Sequence, residues 1–169
     1  MKQKIFLTFA IIIMAIMSIK AQVTVTTPAH AKIVVPITLT LDNSGLEFGD
    51  LAVSSTLGGL VTLTPADPTV VTNTSGVTLM TTGASRVAAK FTVGGVAGYA
   101  YSISPISNTV VTSGTNSMTV SAITALTNSN SSATSGTLIS GSDIFYVGGT
   151  LVVTMGQAPG IYRFLSGHC

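Results

Sequence analysis

Between Gln22 and Asp50 apolar side chains recur at every second residue. The odd positions Val23, Val25, Ala29, Ala31, Ile33, Val35, Ile37, Leu39 and Leu41 are apolar, with Thr27 the exception. The even positions are mostly polar or proline. A strand turns successive side chains to opposite faces, so this pattern predicts strand with one buried and one wet side. The run is too long for one strand of about five or six residues. Pro28 and Pro36 have no backbone donor and mark breaks or edge positions. The expectation is two edge-type strands, Val23–Thr27 and Ile33–Leu41, followed by an Asx-type turn at Asp42–Gly45.

Beyond Asp50, short apolar runs alternate with turn-rich clusters such as TPADP, NTSG, TSGTNS and NSNSSATSG. Strands are predicted at Gly59–Thr64, Val77–Met80, Ala88–Val93, Tyr99–Ser104, Met118–Ile123, Gly136–Ile139, Ile144–Val147 and Thr150–Val153. The stretch AKFTVGGVAGYAYSIS reads as a hairpin turning at Gly94–Gly98. No sustained apolar stripe of helical period occurs after the first 21 residues. Many short strands at this spacing predict an all-β antiparallel sandwich, with a barrel as the rival. A transmembrane barrel needs strands of about 9–11 residues and aromatic girdles. The runs are mostly shorter, and the chain has no Trp. Ile37, Leu39, Leu46, Phe48, Leu60, Phe91, Tyr101, Ile103, Phe145 and Leu151 are expected to face inward.

The first residues change the composition. Met1–Lys4 is basic, Ile5–Met17 apolar, and Ser18–Ala21 ends in a small residue. That is the layout of a secretory signal peptide over residues 1–21, cleaved before Gln22. Its apolar run is shorter than the ~20 residues of a spanning helix. The expected division continues with an N-terminal extension or edge strand (22–32), a sandwich domain (33–162) and an atypical tail (163–169). After removal of the signal, four basic side chains stand against five acidic ones, a formal charge of −1. No basic face is available for nucleic acid. The single Cys169 allows no disulfide within the chain.

Chemistry-bearing constellations are sparse. His30 and His168 are the only histidines and have no partners at metal or catalytic spacing. Asp42, Glu47 and Asp50 cluster as hard-cation ligands do, but match no EF-hand spacing. Cys169 has only His168 beside it as an activating group. The pairs Thr24/Thr26, Thr38/Thr40 and Thr62/Thr64 are the wet side of strands, or a hydroxyl array for ice or sugar. No catalytic residue, cofactor or metal is expected, and the chain reads as a non-enzyme.

Several pieces carry a resemblance. PIT at Pro36–Thr38, LEFG at Leu46–Gly49, GGLVTLTP at Gly58–Pro65 and AKFTVGGVAGYAYSIS at Ala89–Ser104 are four of them. NSMTV at Asn116–Val120, FYVGGTLVV at Phe145–Val153 and QAPGIY at Gln157–Tyr162 complete the set. In order and spacing these resemble the DUF4402 family of secreted bacterial proteins, which is similar to the fimbrial-adhesin and spore coat U-like group. The resemblance implies an immunoglobulin-like β-sandwich and a surface structural role. Chains resembling this one continue after Gly-x-Tyr with a strand such as TGSFSVTVNY, whereas here RFLSGHC follows. Codons for Tyr162–Cys169 read one base later permit T-G-S-F-[LP]-V-T-V, so a shifted frame is expected after Tyr162. The sandwich would then be short of its last strand.

The function expected is a secreted, non-catalytic surface structural protein, a fimbria-like or adhesin-type subunit assembling by β-strand addition. The exchanged strand is expected at Val23, Val25 and Thr27, because an exposed sheet edge is a template for another strand. The alternative is an extracellular carbohydrate-binding module, against which the absence of Trp weighs. Expected partners are further copies or related surface subunits, with a periplasmic chaperone as a candidate. The expected location is the periplasm, the cell surface or the exterior, with no membrane span in the mature form.

Overall fold

The structure is a computed structural model that describes residues 30–164. The signal peptide, its cleavage point before Gln22, the strand Val23–Thr27, and His168 and Cys169 lie outside the described residues. His30–Ile33 fall in a separate unit, and all twelve strands belong to the unit that begins at Val34.

The fold is organised around one long strand, β11 (Ser142–Val153). Its sequence SDIFYVGGTLVV buries nearly every second side chain, with Asp143, Phe145, Val147, Leu151 and Val153 turned into the core. One edge of β11 pairs with the equally long β9 (Asn116–Thr127). The other edge changes partner. Ser142–Val147 pairs with β6 (Ala89–Gly94), and Gly149–Val153 pairs with β3 (Gly59–Leu63). The strands β1 (Thr38–Leu41), β4 (Val71–Asn73), β8 (Thr109–Ser113) and β12 (Arg163–Phe164) complete an eight-stranded antiparallel sheet. Two short pairs face it. They are β2 (Leu51–Val53) with β5 (Val77–Leu79), and β7 (Ala100–Ser102) with β10 (Ser135–Thr137). Their side chains pack on the inner face of the long sheet, so the chain is an antiparallel β-sandwich, with no helix among the described residues.

Two clusters fill the sandwich. Ala89, Val93, Ala125, Leu138, Phe145 and Val147 form one, against which Tyr101 and Ile103 pack. Val61, Val77, Val120, Leu151 and Val153 form the other, closed by Leu51, Val53 and Leu79. Phe91 is half-buried and stacks on Phe145 with ring centroids 5.0 Å apart and planes 12° from parallel. Such offset pairs add roughly 0.5–1.5 kcal/mol beyond area burial. At Gly148, where β11 changes partner, an added Cβ would strike Leu63 O and lie 2.6 Å from Pro65 N. Opposite, β9 carries a bulge between Ser121 and Thr124, with Ala122 at φ 48°.

Several expectations are corrected. AKFTVGGVAGYAYSIS is not a hairpin, because β6 pairs with β1 and β11 whereas β7 pairs with β10. Gly94–Gly98 carries the chain from one layer to the other, a step that local alternation does not register. Ile144–Val147 and Thr150–Val153 are one strand, since the two glycines between them pass through the sheet without a turn. The strand expected at Ile33–Leu41 is ladder only over Thr38–Leu41, following Pro36. The strands β2, β4 and β8 lie outside the stretches expected as strands, and Arg163–Phe164, expected to supply no strand, pairs with Thr112 and Val111 of β8. Leu60 does not face inward: it is adjacent to Val61, and pairing of Val61 with Leu151 puts Val61 inside instead. Leu39 faces the core side as expected but stays exposed, as does Ile37, because no other described element lies over them. The turn after β1 is an Asx turn centred on Asn43, whose Oδ1 accepts from Gly45 N–H at 3.0 Å.

Candidate functional site

The register of β1 settles which way its side chains point. Leu39 lies opposite Val93 and Leu41 opposite Phe91. Residues directly opposite in an antiparallel ladder share a face. Val93 and Phe91 belong to the core side, so Leu39 and Leu41 are turned to the inside of the sandwich. They are nevertheless 63% and 48% exposed, and Ile37 just before them is 58% exposed. Among the described residues the inner face of the sheet therefore extends one strand further than its cover.

The cover itself shows where it stops. Thr127 on β9 is buried and bonds to Ser135 O at 2.9 Å, placing β10 over β9. Tyr101 on β7 donates to Asp143 Oδ2 at 2.8 Å, placing β7 over β11. Asp143 is opposite Val93, and Val93 is opposite Leu39. Among the described residues the covering layer thus runs β10, β7 and goes no further, while the sheet beneath continues through β6 to β1. A cavity of about 240 Å³ opens at this end, lined among others by Pro36, Ile37, Gly95, Tyr99, Ala100 and Leu138. None of its lining residues is charged.

Both strands at the cleft have one edge that pairs with no other described strand. In β7 the bonds of Ile103 N–H to Thr134 O (2.8 Å) and Leu138 N–H to Tyr99 O (2.8 Å) put odd-numbered residues in register with β10. Antiparallel pairing alternates, so the backbone groups of Ala100 and Ser102 point away from β10. In β1 the bond of Asp42 N–H to Lys90 O (2.9 Å) assigns the backbone groups of even-numbered residues to β6 and points those of Leu39 and Leu41 away from it. The sequence of β1, TLTL, has none of the charge, proline or bulge that usually protects an edge.

A polar pin holds the rim of the cleft. The buried Asp143 carboxylate accepts from Tyr101 OH, Ser129 Oγ–H, Ser129 N–H (3.2 Å) and Ile144 N–H (2.8 Å). Burial raises the Tyr101 phenol well above its ordinary range, and the hydrogen bond to Asp143 and that carboxylate's charge raise it further. The Tyr101 ring lies across Gly136, its cross-strand partner, where any Cβ would collide with it. Sequence reading passed over Asp143, although it shares parity with Phe145 and so had to enter the core with it.

The other candidate residues are dispersed. The strand-exchange residues Val23, Val25 and Thr27 lie outside the described residues, as do His168 and Cys169. His30 is exposed. Asp42 accepts from Thr92 Oγ1 at 2.6 Å, whereas Glu47 sits in a bridge with Val87. No three His, Cys, Asp or Glu side chains among the described residues come close enough to hold a metal. Thr62 and Thr150 hydroxyls lie 2.9 Å apart and satisfy each other across the ladder. The described residues do build an uncharged cleft beside a strand edge and an apolar floor that no other described element pairs with or covers.

Compared with known proteins, residues 37–165 match the family model described as Domain of unknown function (DUF4402). No curated protein and no solved structure matches the chain.

Proposed function

The chain belongs to the DUF4402 family, and we propose that it is a secreted, non-catalytic surface structural protein: a fimbria-like or adhesin-type subunit that assembles by β-strand addition. The observation that carries this reading is the pair Leu39 and Leu41, turned to the core side, with Ile37 lining the cavity before them, all three about half exposed. Fully burying one such side chain is worth about 1.5–3 kcal/mol, so a strand laid over this row gains several kcal/mol from apolar contact alone. Main-chain bonds to a free edge add to this gain and provide register. The segment Val23–Thr27 has the matching alternation, Val-Thr-Val-Thr-Thr, without charge. Head-to-tail addition does not close on itself and builds filaments. Its partners are further copies or related surface subunits, met after export directed by residues 1–21, with a periplasmic chaperone as a candidate guard of the open cleft.

The test is assembly. Deletion of Gln22–Thr27, or Val23→Asp with Val25→Asp, is expected to convert high-mass species into monomers by size exclusion and to remove filaments from electron micrographs. Polymers that persist in these variants refute strand addition. So does a mature wild-type protein that stays monomeric with its assembly factors present.

A further inference from the structure

Two edges border the cleft, and strand addition at each has a different consequence. We infer that the acceptor is the free edge of β7, and that its occupant is Val23–Thr27 of a second copy; this rests on the strand-addition reading above. A strand added beside β1 would widen the long sheet and leave Leu39 and Leu41 uncovered from the opposite side. A strand added beside β7 extends the covering layer over β6 and β1, where that layer stops. Facing sheets pack about 10 Å apart, so only this second position places side chains on top of Ile37, Leu39 and Leu41.

The pairing parity follows from β7. Tyr101 faces inward, whereas Ala100 and Ser102 are exposed and direct their backbone groups to the free edge. An incoming strand must therefore put an apolar residue opposite Tyr101 and polar residues opposite Ala100 and Ser102. Centring Val25 on Tyr101 does this in either strand direction, with Thr24 and Thr26 on the outside. A slip of one residue would turn the valines to solvent and the threonines onto the leucines.

Length and charge agree with this occupant. Eight residues, Gln22–Ala29, separate the expected cleavage point from the first described residue, His30. The five residues Val23–Thr27 span about 17 Å as a strand, and the uncovered run Ile37–Leu41 is also five residues long. Neither Val23–Thr27 nor the cavity lining carries a charged side chain.

Cysteine cross-linking in full-length mature protein carrying Cys169→Ser tests the inference. One copy bears Thr26→Cys and the other bears Ala100→Cys, Ser102→Cys or, for the β1 edge, Thr40→Cys. Paired strand residues have Cα separations within the range a disulfide bridges. Mixing under mild oxidation is expected to give cross-linked dimers with Ala100→Cys or Ser102→Cys and none above background with Thr40→Cys. Cross-linking to Thr40→Cys instead assigns the β1 edge and overturns the inference. Polymers that form without a cross-link to β7 overturn it too, while leaving strand addition standing. Disulfides confined to single chains that carry both substitutions place a copy's own segment in the cleft and also overturn it. Failure of the parent protein to polymerise removes the functional reading and this inference together.

Discussion

Tyr101 packs its ring against the core at the rim of the cleft and ties β7 to β11 with its hydroxyl. Tyr101→Phe keeps the ring over Gly136 but removes one of four donors to the buried Asp143. A hydrogen bond to a charged group is worth about 1.5–3 kcal/mol, and the half-exposed phenol puts the expected loss near the lower end. The pH dependence has a definite sign. A phenol titrates near 10 in the unfolded chain, and burial followed by the Asp143 bond and charge raises it in the folded state. Its contribution is therefore complete below about pH 10 and lost as pH rises toward the elevated folded value. Urea midpoints of wild type and Tyr101→Phe should differ by a constant amount from pH 7 to 9 and converge above about pH 10. A difference that stays flat to pH 11 would mean that the pin is not made.

At the scale of elements, β11 matters because it pairs on one side with two different strands. That exchange occurs at Gly148, where the backbone of Leu63–Pro65 leaves no room for a side chain. Gly148→Ala must push main chain rather than a flexible side chain, and overpacking of this kind costs about 1–3 kcal/mol or more. The neighbouring Gly149 is the natural control. A Cβ there meets Val120 Cγ1 at 3.3 Å and Ile123 Cγ1 at 3.4 Å, which are side-chain contacts that can yield. Chemical denaturation should show Gly148→Ala much less stable than Gly149→Ala; equal stabilities would contradict the partner exchange at this point.

For the whole molecule, the uneven extent of its two layers among the described residues is what the proposed assembly rests on. The β2–β5 pair closes one half of the sandwich, and the β10–β7 pair closes the other half only as far as β11. Leu39 is then an inward residue that no described element covers, and the proposed strand addition would bury it. Leu39→Thr should cost the isolated subunit less than about 1 kcal/mol, since most of the side chain is already in water. The same substitution should weaken assembly, because it removes apolar floor from the cleft. Melting temperature and sedimentation of one preparation check both halves. A large drop in melting temperature, or unaltered polymers, would show that Leu39 has another role.

Alternation of apolar and polar residues, with turn clusters between short runs, was enough to determine an antiparallel sandwich. These are local properties of a pleated chain. Parity alone also put Leu39 and Leu41 on the inner side. It could not say whether another layer would lie above them, because cover comes from residues distant in sequence. The same limit explains the misread hairpin: β6 and β7 are adjacent along the chain, yet their ladders are made with β1, β11 and β10. Leu60 and Val61 are both apolar, so only pairing with β11 could choose between them. Parity with Phe145 turns Asp143 inward, but only Ser129 and Tyr101, brought in by tertiary pairing, satisfy its carboxylate. Periodicity decides which face a side chain takes, and tertiary pairing decides what meets that face, since burial is a property of two surfaces and the chain pattern specifies one at a time.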